Sequence, residues 1–325
     1  MSRRFIPLLC FTLLSLPALA QNDAAEPPTE QVLVVGQKPG PGMWKVSKGE
    51  HVLWVFGSYG PLPKKMEWRS HEVEAVMAQS QELLTEPGAK LAVGWLRGMT
   101  LLPFAIGVKD NPNGEHLRDL VPADTYERWL VLKKKYLGND NGIEGQRPVF
   151  AANELFGKAM QQAGLTTSSE VRDRLLALAK TNRLKVTAAN VDVKVDSPVS
   201  TLREFKKAPM DDVACFTKTI ERLETDLDAM RVRANAWAKG DIDVIRKLNY
   251  QDSSCTRAWT QNAMLRERGF NDMDNRVREK WIVPVETALI ANKSTVAIVP
   301  IRDILATDGY LAALAERGYK VEQPE

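Results

Sequence analysis

MWKVSKGEHVLWVFGSYG, residues 43–60, is the stretch that determines the fold class of this chain. Its two β-rich runs lie on either side of a turn at Gly49, so the stretch predicts a β-hairpin. A glycine-containing loop at residues 57–60 follows the second strand, and Pro61 prevents simple continuation of that strand. The apolar spacing over residues 69–86 then predicts a helix. A strand, a glycine loop and a helix in this order are a common setting for ligand sites in α/β folds.

An apolar stripe in the middle of the chain is the clearest helical signal. Between residues 211 and 238, apolar residues recur every three or four positions, and this pattern predicts one continuous helix. The residues of the stripe are Val213, Phe216, Ile220, Leu223, Leu227, Met230, Ala234 and Trp237. The stripe is typical of a helix packed against a core, and a partner-binding or coiled-coil seam is the alternative.

Strand patterns near both ends of the chain, with helices between them, predict how the fold is organised. A strand is predicted at residues 183–190 and a buried strand at residues 294–301. A helix over residues 307–317 and a short strand at residues 319–321 complete the chain. Together with the N-terminal hairpin, these strands predict a single α/β domain with a mixed central sheet and a large helical insertion.

The N-terminal residues have the composition of a secretory signal peptide. Two arginines form a positive region, an apolar stretch follows, and an Ala-Leu-Ala sequence provides the small residues that a signal peptidase requires. We therefore predict a signal peptide at residues 1–20, a flexible leader at residues 21–30 and the folded domain at residues 31–325. An uncleaved anchor is the alternative to the signal peptide.

The overall charge of the chain excludes some classes of partner. The formal net charge is +3 at pH 7, and it falls to +1 when the predicted signal peptide leaves with its two arginines and no acid. A nearly neutral chain has no general electrostatic attraction for nucleic acid or anionic membranes. No later segment is apolar over a length that spans a bilayer. We therefore expect no nucleic-acid partner and no stable membrane span after signal cleavage.

The cysteines indicate an oxidising compartment. The chain has three, of which Cys10 lies in the predicted signal peptide. Cys215 and Cys255 remain as an even pair, and outside the cytoplasm we expect them to form a disulfide. Two buried free thiols are the alternative.

Three separated segments carry motifs in a characteristic order. They are residues 40–46 (Gly-Pro-Gly-Met-Trp-Lys-Val), residues 233–241 (Arg-Ala-Asn-Ala-Trp-Ala-Lys-Gly-Asp) and residues 308–321, which end in Arg-Gly-Tyr-Lys-Val. In these motifs the chain resembles the TraB/GumN family, which includes the Tiki metalloproteases. The resemblance spans most of the chain. It implies an EreA/ChaN/TraB-like α/β fold and a periplasmic or secreted location.

The resemblance also implies a hydrolase site, but this chain departs from the family pattern at the metal ligands. In the family, two motif histidines and an acidic residue would hold a divalent metal that activates water. Gly60 stands where the first histidine is expected, and Asp303 lies near the position of the second. Glu86 lies at about the place of the acidic residue, and Arg276 or Arg278 at that of a late arginine. The chain thus resembles a divergent member that lacks the motif histidines.

The predicted site consists of catalytic candidates and a binding cleft. The catalytic candidates are Glu86, Asp303 and Arg276. The cleft residues are Gly57, Ser58, Tyr59, Gly60 and Arg302, which lie in the two loops that the family brings together. No residue is predicted to ligate a metal, and no cofactor is expected. A divalent metal is expected only if the chain is instead an active metal-dependent hydrolase.

Two functions are consistent with these residues, and whether the chain is an enzyme stays open between them. The first is a secreted or periplasmic pseudoenzyme with a degenerate hydrolase site, which binds a peptide, a glycan or an envelope protein. The alternative is an active, peptidase-like metal-dependent hydrolase that uses Glu86, Asp303 and a displaced histidine. The histidines of the chain are His51, His71 and His116, and their spacing matches no metal-binding motif.

Overall fold

A mixed six-stranded sheet forms the centre of the fold in our computed structural model. The structure describes residues 40–68, 70–92, 95–166, 170–195, 197–247, 255, 258–259, 262–267 and 272–324. These residues belong to one compact unit. The predicted signal peptide and leader lie outside the described residues, and their boundaries stay predictions.

The direction of the strands decides where loops from distant parts of the chain meet. The strands are β1 (Met43–Lys48), β2 (His51–Ser58), β3 (Leu62–Pro63), β4 (Glu82–Leu84), β5 (Gly88–Leu91), β6 (Leu165–Thr166), β7 (Lys185–Thr187), β8 (Asn190–Val193), β9 (Ser294–Pro300) and β10 (Lys320–Glu322). The central sheet has the order β10-β1-β2-β9-β4-β7, and small sheets pair β3 with β6 and β5 with β8. β1 is antiparallel to both neighbours, whereas β2, β9, β4 and β7 are parallel. The predicted α/β class with a mixed central sheet is therefore confirmed.

Most of the helices lie in the chain between β5 and β9, where a large helical insertion was predicted. The helices are α1 (His71–Gln79), α2 (Trp95–Ala105), α3 (Leu117–Leu120), α4 (Ala123–Tyr136), α5 (Pro148–Gln162), α6 (Glu170–Thr181), α7 (Pro198–Lys207), α8 (Val213–Thr225), α9 (Leu227–Ala238), α10 (Ile242–Lys247), α11 (Ala263–Glu267), α12 (Met273–Ala291), α13 (Ile301–Leu305) and α14 (Tyr310–Glu316). A 3₁₀ helix covers Gly142–Gly145. Among the described residues, no helix is both long and apolar enough to cross a membrane.

The strand β9 is buried on both faces because it lies in the middle of the sheet. Its Val296, Ala297, Ile298 and Val299 are fully buried in the main core. An uninterrupted apolar run of this kind is typical of a parallel strand with structure packed on both sides. The register places Ser58, the last residue of β2, opposite Pro300 at the end of β9.

The predicted helix over residues 69–86 is wrong in its second half. Helix α1 ends at Gln79, and the Glu-Leu-Leu segment that follows is the strand β4. Leu83 and Leu84 continue the helical spacing of apolar residues, but both are fully buried between β9 and β7 in the sheet. A short apolar run fits the periodicity of a helix and that of a strand, so the spacing alone does not distinguish a helix from a strand.

The predicted continuous helix over residues 211–238 is broken at Asp226, which separates α8 from α9. The apolar stripe packs in the core as predicted, but in two different cores. Its α8 part packs with α4 and α5, whereas Ala234 and Trp237 of α9 pack beneath the central sheet. The change of core falls within α9, because Leu227 and Met230, which follow the break at Asp226, still pack with the α8 part.

The disulfide between Cys215 and Cys255 is present, as predicted. It joins the first turn of α8 to a segment 40 residues later. The two cysteines pack with Val149, Ala258 and their neighbours in a small separate apolar cluster. The disulfide therefore fixes the later part of the insertion against α8.

Candidate functional site

The carboxyl ends of the parallel strands bring the predicted site residues to one edge of the sheet. Ser58 ends β2, Glu86 follows β4, and Asp303 lies three residues after the end of β9. Parallel strands end at the same edge, and ligand sites of open α/β sheets lie at that edge. The loops at residues 57–60 and 300–303, which were predicted to meet, are therefore adjacent.

Ser58 and Glu86 are directly bonded across this edge. The Ser58 Oγ donates a hydrogen bond to Oε1 of Glu86. The preceding residue has to be small, because a Cβ on Gly57 would lie 2.9 Å from Cζ3 of Trp44 and 3.2 Å from Cγ1 of Ile301. Gly57 thus lets the end of β2 approach the first turn of α13.

Asp303 lies half-buried in the first turn of α13. Burial raises the pKa of its carboxyl group, and the neighbouring carboxylates of Asp274 and Glu86 raise it further. Arg302 opposes this effect, because its Nε donates to Oδ1 of Asp303 over 3.1 Å. Desolvation outweighs the exposed ion pair, so Asp303 is a carboxyl group that holds its proton more strongly than usual.

Tyr310 extends the polar group around Asp303. Burial raises the pKa of the Tyr310 phenol, and the negative charges of Asp303 and Asp274 raise it further. The ring of Tyr310 packs edge-on against Trp281 at 5.0 Å between centroids. Sequence reasoning did not select Tyr310, although it lies in the closing motif at residues 308–321.

The closing motif also fixes the backbone at Asp303. A Cβ on Gly309 would lie only 2.0 Å from the carbonyl oxygen of Asp303 and 3.0 Å from that of Ala306. Only glycine allows the start of α14 to approach α13 so closely. The glycine of the motif therefore positions the helix that carries Asp303.

Two side chains of helix α9 donate hydrogen bonds to the loop after β2. The Nε1 of Trp237 donates to the carbonyl oxygen of Gly57 over 2.7 Å, and Nε of Arg233 donates to the hydroxyl of Tyr59 over 3.3 Å. Arg233 is only 2% exposed, and its Nη2 donates to Oδ2 of Asp226 over 2.6 Å. Burial by itself would lower the pKa of Arg233, but the bonds to Asp226 and Tyr59 outweigh it and raise this pKa.

Arg233 and Trp237 therefore position the loop after β2. Both lie in a motif that the sequence shows, but they were not predicted as site residues. The signal that could have found them is the motif at residues 233–241, in which both residues lie one helical turn apart. Their partners in the loop were not predictable from the motif alone.

The late arginines lie on α12. Arg276 is exposed in the first turns of that helix, and its predicted catalytic role stays a prediction. Arg278 donates to the carbonyl oxygen of Asp308 over 2.6 Å and to Oδ1 of Asn275 over 2.8 Å. Arg278 thus ties α12 to the closing motif beside Tyr310.

The metal centre that the resemblance implies does not fit the residues of this chain. Gly60 has no donor atom, and Ser58, Glu86 and Asp303 offer only oxygen ligands. His51 lies at the opposite end of β2, where its Nδ1 bonds to the carbonyl oxygen of Asn292 at 2.7 Å. In the part of the chain that the structure describes, no three His, Cys, Asp or Glu side chains are grouped so that they could hold a metal ion. A hydrolytic zinc site needs three protein ligands.

Replacing Asp303 with asparagine should stabilise the protein at neutral pH. The folded state holds a proton on Asp303 more strongly than the unfolded state, so ionisation of Asp303 costs stability as the pH rises from the unfolded pKa through the folded pKa. The Asp303→Asn variant should therefore melt about 2 °C higher at pH 7. The difference should vanish at about pH 3, below the usual aspartate pKa.

Thermal melts at both pH values test this expectation. Asp308→Asn is the matched control, because Asp308 is an exposed aspartate in the same segment. Its melting temperature should follow the wild type at each pH. A lower melting temperature of Asp303→Asn at pH 7 would contradict the desolvation argument.

The comparison with known proteins agrees with the motifs on which this site is built. A family model described as the TraB/PrgY/gumN family matches residues 42–323, which include every strand of the fold from β1 to β10. Neither a search of the curated proteins nor a search of the solved structures gave a match. Because the matched region covers most of the chain, this protein belongs to the TraB/PrgY/gumN family.

Proposed function

We propose that this protein is an exported member of its family that binds a peptide, a glycan or an envelope protein at the carboxyl edge of the sheet, without metal-dependent hydrolysis. One observation carries the proposal. Gly60, at the position of the first motif histidine, has no donor, and no three His, Cys, Asp or Glu side chains of the described chain are grouped so that they could hold a metal ion. A metal held by so few ligands is bound weakly and does not activate water efficiently.

The same edge retains what a binding site requires. It presents the exposed guanidinium of Arg302 as a donor, the half-buried Asp303 beside it, and the bonded pair of Ser58 and Glu86. The absence of a side chain at Gly60 leaves open space, since a Cβ there would meet no atom within 4 Å. Convergent polar groups around an open edge favour recognition of a polar ligand.

The disulfide supports export. Disulfides form and persist in oxidising compartments and are rare in the cytoplasm of mesophiles. The bond between Cys215 and Cys255 thus agrees with the signal peptide predicted at residues 1–20. Both features support a location of the binding site in the periplasm or outside the cell.

Metal content measured by elemental analysis tests the proposal. The purified protein, after dialysis against trace zinc, manganese and cobalt, should retain well below one ion per chain. One tightly held ion per chain, lost in the Glu86→Gln variant, would instead favour the active hydrolase and justify a screen of peptide substrates. In that case Glu86, Asp303 and a displaced histidine such as His71 would be the ligands to test next.

A variant that restores the missing donors provides the positive control. Gly60→His places an imidazole in open space, and Asp303→His supplies the second histidine near Glu86. The double variant should retain zinc at close to one ion per chain after the same dialysis. Zinc retention by the wild type and the double variant alike would contradict the proposal.

A further inference from the structure

A cavity of about 400 Å³ is lined by helix α5, the strand β6 and the residue that follows β3. The residues of α5 that line it are Asn153, Phe156, Gly157, Met160 and Gln161. They are spaced by three and four, so they lie on one face of the helix. The volume is in the range of pockets that hold small organic ligands. We call this space the α5 cavity.

The floor of the α5 cavity is apolar and fixed by the core beneath it. Met160 and Leu165, which line the cavity, are 3% and 2% exposed and belong to the core that α5 forms with α4 and α8. Phe156 is half-buried, and the guanidinium of Arg222 lies 5.3 Å from the centre of its ring, a cation–π contact that holds the ring. The floor is therefore preformed and needs no rearrangement to accept a ligand.

Polar side chains without a protein partner also line the α5 cavity. Lys64 lies directly after β3, and its backbone N–H donates to the carbonyl oxygen of Gly164 over 3.0 Å, which fixes the residue beside the cavity. Within the described chain, the ammonium group of Lys64 forms no ion pair, and the side-chain amides of Asn153 and Gln161 form no hydrogen bond. None of the described residues that line the cavity is acidic. The cavity thus offers one positive charge and two amides beside an apolar floor.

Gly157 keeps the α5 cavity open at a cost to the helix. It lies in the interior of α5, where glycine is the least favourable residue after proline. A Cβ at this position would meet no atom within 4 Å, so the packing of the fold does not require a glycine. A large side chain at position 157 would instead occupy the cavity, because this residue lines it. A local cost to stability without a return in packing is typical of a functional site.

We propose that the α5 cavity binds a small organic anion with an apolar body, such as an aromatic or aliphatic carboxylate. The apolar body packs on Phe156, Met160 and Leu165, and the anionic group accepts a hydrogen bond from the ammonium group of Lys64. A charge-assisted hydrogen bond of this kind favours an anion over a neutral ligand of the same shape. The described residues that line the cavity belong to neither of the loops at residues 57–60 and 300–303, so this inference does not depend on the proposed function.

Fluorescence titration with anilinonaphthalene sulfonate tests this proposal, because the dye joins an aromatic body to an anionic group. The full chain should bind the dye at a saturable site, and Gly157→Trp should fill the cavity and lower the affinity at least about tenfold. Gly157→Ala should raise the melting temperature by about 2 °C, which shows that the helix accepts a side chain there. Lys158→Trp is the matched control, because Lys158 is the next residue of α5 and is exposed outside the cavity, and this variant should bind the dye like the wild type.

Lys64→Met tests the charge of the site without altering α5. It should lower the affinity for the sulfonate dye about threefold and leave the affinity for the uncharged N-phenylnaphthylamine unchanged. If Gly157→Trp binds the sulfonate dye as tightly as the wild type, or if Lys64→Met does, the proposal is overturned. Loss of dye binding in Leu102→Glu would also overturn it, because Leu102 is 64% exposed on α2, outside the cavity, and the dye would then bind there.

Discussion

Asp226→Ala should lower the free energy of unfolding by about 3 kcal/mol or more, because it leaves the guanidinium of Arg233 charged and buried without its carboxylate. Arg233 is 2% exposed, and its shortest described hydrogen bond is the one that its Nη2 donates to Oδ2 of Asp226 over 2.6 Å. Removing one partner of a buried ion pair costs far more than removing both. The double variant Asp226→Leu with Arg233→Met should therefore recover part of the loss.

The chain offers a closely matched control two residues away. Asp228 also pairs with an arginine of α9, but its side chain is 94% exposed, and Asp228→Ala should cost no more than about 0.5 kcal/mol. Urea denaturation of the three variants gives the comparison. Equal losses in Asp226→Ala and Asp228→Ala would show that the buried pair does not hold the break between α8 and α9. Amide hydrogen exchange of residues 57–60 should also increase in Asp226→Ala alone, because Arg233 supports Tyr59.

Loss of the disulfide should have an effect of similar size. Replacing Cys215 and Cys255 together with alanine opens a loop of 40 residues, which on a chain-entropy estimate costs about 4 kcal/mol. Dithiothreitol should lower the denaturation midpoint of the wild type to about that of the double variant. The double variant itself should be insensitive to the reductant.

Thiol titration of the unfolded protein provides an independent check of the same bond. Without reductant, neither Cys215 nor Cys255 should react, and after reduction both should. If both react without reductant, the protein does not contain the bond, and a smaller stability difference between wild type and variant is then expected.

The strands at the two ends of the chain were predictable because local patterns decide them. The hairpin of β1 and β2 and the buried run of β9 need only alternation, a glycine turn and apolar continuity. The strand β4 was missed because the two leucines of its Glu-Leu-Leu segment fit the apolar spacing of a helix as well as that of a strand. The break at Asp226 was missed because the apolar stripe runs through it unchanged, and Leu227 and Met230 of α9 still pack in the same core as α8.

The candidate site was predictable only in part. Ser58, Glu86 and Asp303 were named from motif positions, and the parallel strands bring them to one edge. Arg233 and Trp237 were not assigned because their partners in the loop lie 174 and 180 residues away in sequence. Contacts of that separation follow from tertiary packing, which no local pattern encodes.

The position of β9 has a consequence for the order in which the protein can be assembled. This strand separates the pair formed by β1 and β2 from the pair formed by β4 and β7, yet it is made by the ribosome after all of them. Until it emerges, β2 and β4 each keep an unpaired apolar edge, which is a template for aggregation. A nonsense mutation before residue 294 should therefore yield two unjoined half-sheets, and a cell would have to shield or degrade that product.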